Sequence, residues 1–361
     1  MNTCALTLAQ QTSWLTKKIF GAPGASELAR DSDSIFMWIF YFSLFWFILL
    51  MGLMIYWVIK YRRRPGVPIQ RTPHHNTNLE LAWTILPSLF LGYMFYIGFQ
   101  GYIKQVIAPT NAEMIDVRGS KWMWTITYAN GVNPPEMTEI GGNPQAPIIY
   151  IPVGRPVQFR MTSSDVLHSF WIPDFRFKQD LMPNRYSSFW IEAEAPGDHY
   201  LFCAEYCGDK HSEMSAIIRA IPADEYDALL QKWFDDSGNL TPVEAGKRLV
   251  ESKGGCIACH SLTGAPGIGP TWLNAWGYEV PLTDGTTIPA DDPDAWDNYI
   301  RESIINPAAK IRSGFAPVMT PFAGVFSEEE LDSIVEYIKS LSDKAPAGEI
   351  PADDSPEQPE S

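Results

Sequence analysis

Cysteine is scarce in this sequence. Among 361 residues there are five: Cys4, Cys203, Cys207, Cys256 and Cys259. Four of them form two tight pairs, which is not how a disulfide framework is spaced. Basic residues are outnumbered as well, with 27 Lys and Arg against 42 Asp and Glu and a net charge of −15. That balance argues against nucleic acid as a partner, because a phosphate backbone needs a positive surface. No internal repeat is visible. Residues 1–34 lack an apolar run adequate for a cleaved signal peptide, so the first apolar span is expected to act as an uncleaved anchor. Cys4 follows no apolar segment, which speaks against a lipoprotein and leaves an incidental thiol. Tryptophan and proline are plentiful, 13 and 29 residues, as a membrane part and a loop-rich β part would require. The length allows two or three domains with real cores.

Residues 35–59 read IFMWIFYFSLFWFILLMGLMIYWVI without a charge, long enough to span a bilayer. A second run at 79–102, LELAWTILPSLFLGYMFYIGFQGY, carries Glu80, Pro87 and Gln100 and is a less clean span. Between them lies KYRRRPGVPIQRTPHH. This arginine-rich loop is expected on the cytoplasmic side, which sends both termini and everything beyond residue 103 to the other side.

From 112 to 222 the pattern changes to short segments rich in β-branched and aromatic residues, broken by Gly, Pro and Asn. Such spacing predicts an all-β sandwich or barrel. Between its last two strands lies CAEYCGDKHSEM, residues 203–214, and a second histidine, His168 in SSDVLHSFWIP, is expected on an earlier loop. Zinc would take two thiolates and two imidazoles, but structural zinc cysteines usually stand two apart and need no methionine. A disulfide is conceivable outside the cytoplasm but leaves His211 and Met214 without a purpose. A single copper uses one cysteine, two histidines and a weak methionine. The additional thiolate is what a pair of coppers needs.

The stretch resembles the dinuclear copper (CuA) loop of cytochrome c oxidase subunit II, C-x-E-x-C-x3-H-x2-M, and DVLHSFWIP also fits that family. The resemblance implies that Cys203 and Cys207 bridge two coppers, that His168 and His211 bind one each, and that Met214 is a weak ligand. It implies ligation through the backbone carbonyl of Glu205, whose carboxylate can hold magnesium facing the catalytic subunit. LELAWTILP is similar to the family's second-helix signature, and Glu80 falls where the family has a glutamate associated with the proton-pathway entrance. A carboxylate at the cytoplasmic interface is the plainer reading of Glu80. KWMWTITY resembles the aromatic strand beside the copper site, and Trp122 falls at the electron-inlet tryptophan. Met123 and Ile126 stand where tyrosines are usual. Core packing accounts for Trp124, and His199 matches no ligand position.

A second motif follows. GCIACHS, residues 255–261, contains C-x-x-C-H. Thioethers from Cys256 and Cys259 would fix a haem c, with His260 as its proximal ligand; in the cytoplasm a redox-active C-x-x-C would compete. TPVEAGKRLVESKG predicts a preceding helix, capped by Thr241 with Pro242 in first position. After His260 the chain has no histidine and one methionine, Met319, which is therefore the candidate sixth ligand. SEEELDSIVEYIKSLS predicts a closing helix with a capping box at Ser327 and Glu330. It is similar to the last helix of class I cytochromes c, although Thr320 intervenes where that family usually has Met-Pro.

Together these readings predict a multidomain chain: a two-helix transmembrane hairpin, an all-β cupredoxin-like domain and an all-α class I cytochrome c domain. The expected boundaries are an extracytoplasmic segment at 1–34, spans at 35–59 and 79–102 with a cytoplasmic loop at 60–78, the CuA domain at 112–222, a linker at 223–240 that includes a short helix in PADEYDALLQKWFDDSGN, the cytochrome domain at 241–343 and a disordered acidic tail at 344–361. The match resembles subunit II of a caa-type haem-copper oxidase in a prokaryotic cytoplasmic membrane. It implies subunit I, which reduces oxygen to water, and subunit III as partners, beside lipid and a soluble or membrane-bound one-electron donor. It also implies proton translocation by the complex and no catalytic residue on this chain. Two other readings remain open at this point: a CuA subunit of a nitric oxide reductase, and a membrane-tethered electron carrier acting alone.

Overall fold

The computed structural model describes residues 14–68 and 74–345; Cys4 and the tail from 346 lie outside them. Helix α1 (Trp14–Phe20) leads into α2 (Glu27–Lys60), and α3 (Thr77–Val106) follows, carrying Pro87 within it. Both long helices are apolar enough to cross a membrane, and their apolar windows are not covered by the rest of the chain. About 20 residues suffice for the hydrocarbon layer, so α2, with 34 residues, outruns it. Its surplus is the polar first part, started by Ser26, whose hydroxyl accepts the N–H of Ala29 at 3.1 Å.

That polar surplus seats the next domain. Arg176 donates to both oxygens of Asp33, at 2.8 and 3.1 Å, and Arg30 donates to Glu194 at 2.5 and 2.6 Å. On α3, Lys104 pairs with Asp31 at 2.9 Å while its carbonyl accepts the indole N–H of Trp190. The helix hairpin and the β domain are therefore braced where the chain leaves the apolar layer.

The β domain has ten strands: β1 (Glu113–Ser120), β2 (Met123–Thr127), β3 (Met137–Ile140), β4 (Asn143–Pro152), β5 (Val157–Ser163), β6 (His168–Ile172), β7 (Phe177–Leu181), β8 (Ser187–Ile191), β9 (Gly197–Cys203) and β10 (Ser215–Ile221). They form two sheets, ordered β2-β1-β5-β8 and β3-β4-β10-β9-β6-β7. Neighbours are antiparallel except β1 with β5 and β4 with β10. Strand β5 illustrates the sequence logic: in VQFRMTS every second residue, Val157, Phe159, Met161 and Ser163, is buried, as a strand with one core face requires. Phe159, Phe170 and Phe189 meet in the core with centroids 5.2 to 5.9 Å apart. His168 does not sit on a loop as expected; it is the first residue of β6, fully buried.

The short helix expected in the linker is α4 (Ala223–Ser237), which takes up most of that stretch. Tyr226, Leu230 and Trp233 recur at helical spacing and are buried in the β-domain core, so this helix belongs to that core. The C-terminal domain is built on α5 (Pro242–Glu251), α6 (Pro293–Ile305) and α7 (Glu328–Ser340), with a two-stranded ribbon at Val280–Pro281 and Thr287–Ile288. Thr241 and Ser327 each close a capping box, with Glu244 and Glu330. Helices α5 and α7 cross at Gly246, where an added Cβ would stand 1.9 Å from the carbonyl oxygen of Ser333. The obstacle is backbone and cannot swing away. Gly246→Ala is therefore expected to destabilise the C-terminal domain by about 3 kcal/mol, the upper end of ordinary overpacking, read as a lowered denaturant midpoint of its own transition.

Candidate metal centres

The 203–214 loop leaves the end of β9, makes a short turn of helix at His211–Glu213 and enters β10. It folds back so that Cys203 N–H donates to Met214 O at 3.0 Å. This closure brings the soft donors together. Cys203 Sγ and Cys207 Sγ are 3.8 Å apart, far beyond the ~2 Å of a disulfide. His168 Nδ1 is 3.9 Å from Cys203 Sγ, His211 Nδ1 is 3.5 Å from Cys207 Sγ, and Met214 Sδ is 3.8 Å from Cys207 Sγ. The carbonyl oxygen of Glu205 is 3.2 Å from Cys203 Sγ, and its side chain is exposed. All six residues singled out in the sequence thus converge on one buried spot, and His168, Cys203 and Cys207 alone satisfy the spacing of a metal-binding group.

Electrostatics suit a cation. The hydrogen bond from Cys207, helped by His168, outweighs burial and pulls the Cys203 thiol down to about 3, while Cys207, beside that thiolate, is pushed up. A bare pair therefore holds one proton, which a bound metal would displace. Burial depresses His168, but its contacts with Asp165 and Cys203 outweigh that and leave it raised. His168 Nε2 lies 2.8 Å from Asp165 Oδ1. A carboxylate there fixes the tautomer, so that Nδ1 faces the sulfurs as a lone-pair donor. Six donors exceed the four of tetrahedral zinc. The two sulfurs in the middle, an imidazole at each end and weak thioether and carbonyl donors match a soft pair of metals.

The second centre lies in a cleft lined by Cys256, Cys259, His260 and Met319. His260 Nδ1 donates to Pro270 O at 2.8 Å, and its ring stacks on Trp272 with centroids 4.9 Å apart. Nε2 is thereby left as the ligating nitrogen, and burial, against the pull of the Pro270 carbonyl, lowers the imidazole so that it is neutral. Burial pushes Cys256 up to about 12 and raises Cys259. A redox-active C-x-x-C needs the opposite shift. One further observation fits a bound group with carboxylates: Arg312 lines the cleft and adds a cation to it.

The two centres share a wall. Ser120, Lys121, Trp122 and Met123 of the β domain line the same cleft as Cys256, Cys259 and His260, and Trp122 Nε1 donates to Cys207 O at 3.3 Å. Gly255 lets the domains meet: its φ is +57°, and a Cβ would fall 1.6 Å from Met123 Sδ. Hydrogen bonds cross the junction from Thr125 to Lys253 O, from Lys210 to Ala258 O, from Arg248 to Asn133 O and from Thr320 to Asp165. Sequence reasoning missed Asp165, Lys210 and Trp272. Asp165, an acid three residues before a candidate ligand, was findable; Lys210 and Trp272 carry no local signal. Trp124 is core, edge-on to His168 and Phe170. His199 pairs with Asp174 instead. Glu80 lies in the first turn of α3 and accepts the N–H of Asn76 at 3.1 Å.

Family models match the same three parts. The transmembrane domain of cytochrome C oxidase subunit II covers residues 15–100 and its periplasmic domain residues 143–221. The cytochrome c oxidase subunit 2 of Alkalihalophilus pseudofirmus is 30% identical over 291 residues, 78% of this chain and 79% of that protein. The chain belongs to the cytochrome c oxidase subunit 2 family. The subunit 2 of Synechocystis sp. is 29% identical over 56% of this chain and 72% of its own length. The periplasmic domain of subunit II of cytochrome oxidase (CoxB) of Bradyrhizobium japonicum overlaps 36% of this chain and 99% of its own, at 24% identity and a TM-score of 0.33. Residues 241–338 match the model described as cytochrome C oxidase, cbb3-type, subunit III. This member of the subunit 2 family is thus a two-span membrane protein, with a CuA-type β domain and a cytochrome c domain, and part of a haem-copper oxidase complex.

Proposed function

We propose that this chain is the electron inlet of a terminal respiratory oxidase. One-electron equivalents from an extracytoplasmic donor enter through covalent haem c, pass to dinuclear copper and leave for a partner subunit that reduces oxygen to water. The chain's residues divide as follows. Cys203 and Cys207 would supply the thiolates that hold a copper pair, His168 and His211 an imidazole each, and Met214 and the carbonyl of Glu205 weak donors. Cys256 and Cys259 would hold a haem covalently, with His260 and Met319 as the residues offered to its iron. The exposed Glu205 carboxylate is free to hold magnesium against subunit I, and subunit III completes the complex. Both termini and both redox domains lie outside, because the loop between the spans carries the arginines. Glu80 stands at that loop's end of α3, where protons from the cytoplasm would meet it.

The observation that carries the reading is the position of Trp122. One indole lines the haem cleft and donates to the carbonyl of Cys207, so the two centres are neighbours through one side chain. A centre whose two sulfurs serve both metals changes each bond little when one electron arrives, which suits rapid transfer. The test is electron paramagnetic resonance with metal analysis on the purified full chain. The expected spectrum has hyperfine structure from one electron shared equally by two coppers, beside low-spin haem. A single-copper pattern, or zinc without a copper signal, overturns the assignment.

A further inference from the structure

Thr320 is the residue that separates Met319 from Pro321, and it reaches the other domain. Its hydroxyl donates to Asp165 Oδ2 at 3.3 Å. The same carboxylate is a hub. Its Oδ1 meets His168 Nε2 at 2.8 Å and accepts the N–H of Val166 at 2.7 Å. Ser163 Oγ adds a longer contact at 3.4 Å. Its Oδ2 also accepts the N–H of Lys121, next to Trp122, at 2.8 Å. The Asp165 side chain is 11% exposed. One nearly buried carboxylate therefore touches a copper-ligand candidate, the strand turn beside Trp122, and the loop that carries the haem's sixth ligand.

We propose that Thr320 is a positioning residue that couples the Met319 loop to His168 through Asp165. The idea rests on the copper and haem reading above. A carboxylate behind a metal-bound imidazole makes that imidazole more basic and stabilises the oxidised metal. A second donor on the same carboxylate draws charge away and weakens that effect. With the Met319 loop seated, Thr320 supplies this donor, and the copper pair accepts an electron more readily. At 3.3 Å the bond is longer than the roughly 2.5–3.0 Å usual between a hydroxyl and an oxygen acceptor. It is a longer contact than those to His168, Val166 and Lys121, and it is the one made by a separate domain, so it yields first when the loop shifts. A proline directly after Met319 would have no hydroxyl to offer.

The test is a redox titration of the full chain carrying copper and haem, with copper followed by paramagnetic resonance and haem by its optical spectrum. Thr320→Val keeps the volume and removes the donor; Thr320→Ser keeps the donor. The expected result is a lower copper midpoint in Thr320→Val, wild-type haem absorption, and a return toward the wild-type midpoint in Thr320→Ser. In an Asp165→Asn background the valine substitution should move the midpoint far less, because the two residues act in series. An unchanged copper midpoint in Thr320→Val overturns the coupling, as does an equal shift in both variants, which would be packing. Loss of the Met319 spectrum in Thr320→Val also overturns it, by assigning Thr320 to holding the loop. A wild-type chain without the shared-copper signal fails at an earlier point and overturns the functional reading together with this one.

Discussion

Cys207→Ser should abolish the shared-copper signal and leave the haem spectrum as it is. Cys207 Sγ ties one half of the cluster to the other: it lies 3.8 Å from Cys203 Sγ, 3.5 Å from His211 Nδ1 and 3.8 Å from Met214 Sδ. A serine oxygen is a hard, protonated donor on a shorter bond and cannot replace a bridging thiolate for a soft metal. Losing it removes the atom through which His211 and Met214 connect to the rest. What remains, one thiolate with His168, suits at most one copper. The fold should survive. Burying a hydroxyl in place of this thiol costs about 1–3 kcal/mol, less than the roughly 5–15 kcal/mol of a typical domain. Cys256 packs against a separate core that includes Val250, Trp272 and Ile334. Paramagnetic resonance and optical spectra of one sample read both centres. Loss of both centres from a still folded chain would mean that the two domains are not independent units.

The 203–214 cluster was legible because all but one of its six converging residues fall within twelve residues of chain. Cysteines four apart, then a histidine and a methionine, leave little freedom once β9 and β10 pair on either side. The caps at Thr241 and Ser327 were legible for the same reason, since a capping box is complete within four residues. The hidden features are those that depend on distance along the chain. His168 was taken for a loop residue because β6 is only five residues long and starts at the ligand itself. Helix α2 was expected at the apolar run alone, because hydropathy registers the bilayer; the polar turns that seat Arg176 and Glu194 continue the helix above it. The helix in the 223–240 linker was legible, but its place in the β-domain core was not, because its buried face, Tyr226, Leu230 and Trp233, is narrow and its other residues are largely polar. Thr320 registered only as an interruption between Met319 and Pro321. Its partner is 155 residues away, and no local pattern reports that.

Met319→Ala should change the haem spectrum and leave the copper hyperfine pattern intact. Met319 and His260 line the same cleft, and no other histidine or methionine occurs after His260. The vacated position would therefore fall to water or to a harder group. Thioether ligation favours low-spin iron and raises its potential, so the expected signs are loss of the low-spin spectrum and a lower haem midpoint. Lys310 and Arg312 in the same cleft can ligate only after losing a proton, which for arginine does not happen in proteins. High pH is then informative: a low-spin spectrum that returns only in alkali would point to a lysine of the cleft, and its loss in Met319→Ala/Lys310→Met rather than Met319→Ala/Lys121→Met would identify Lys310. Copper should keep its shared-electron pattern, because the six donors at 203–214 and His168 do not include this loop. Its midpoint should nevertheless move in the direction expected of Thr320→Val, because a loop freed from iron no longer holds Thr320 against Asp165. A haem spectrum identical to wild type would take Met319 out of the ligand set and require a sixth donor from elsewhere, for which the β-domain wall of the cleft, Ser120 to Met123, is the first place to look.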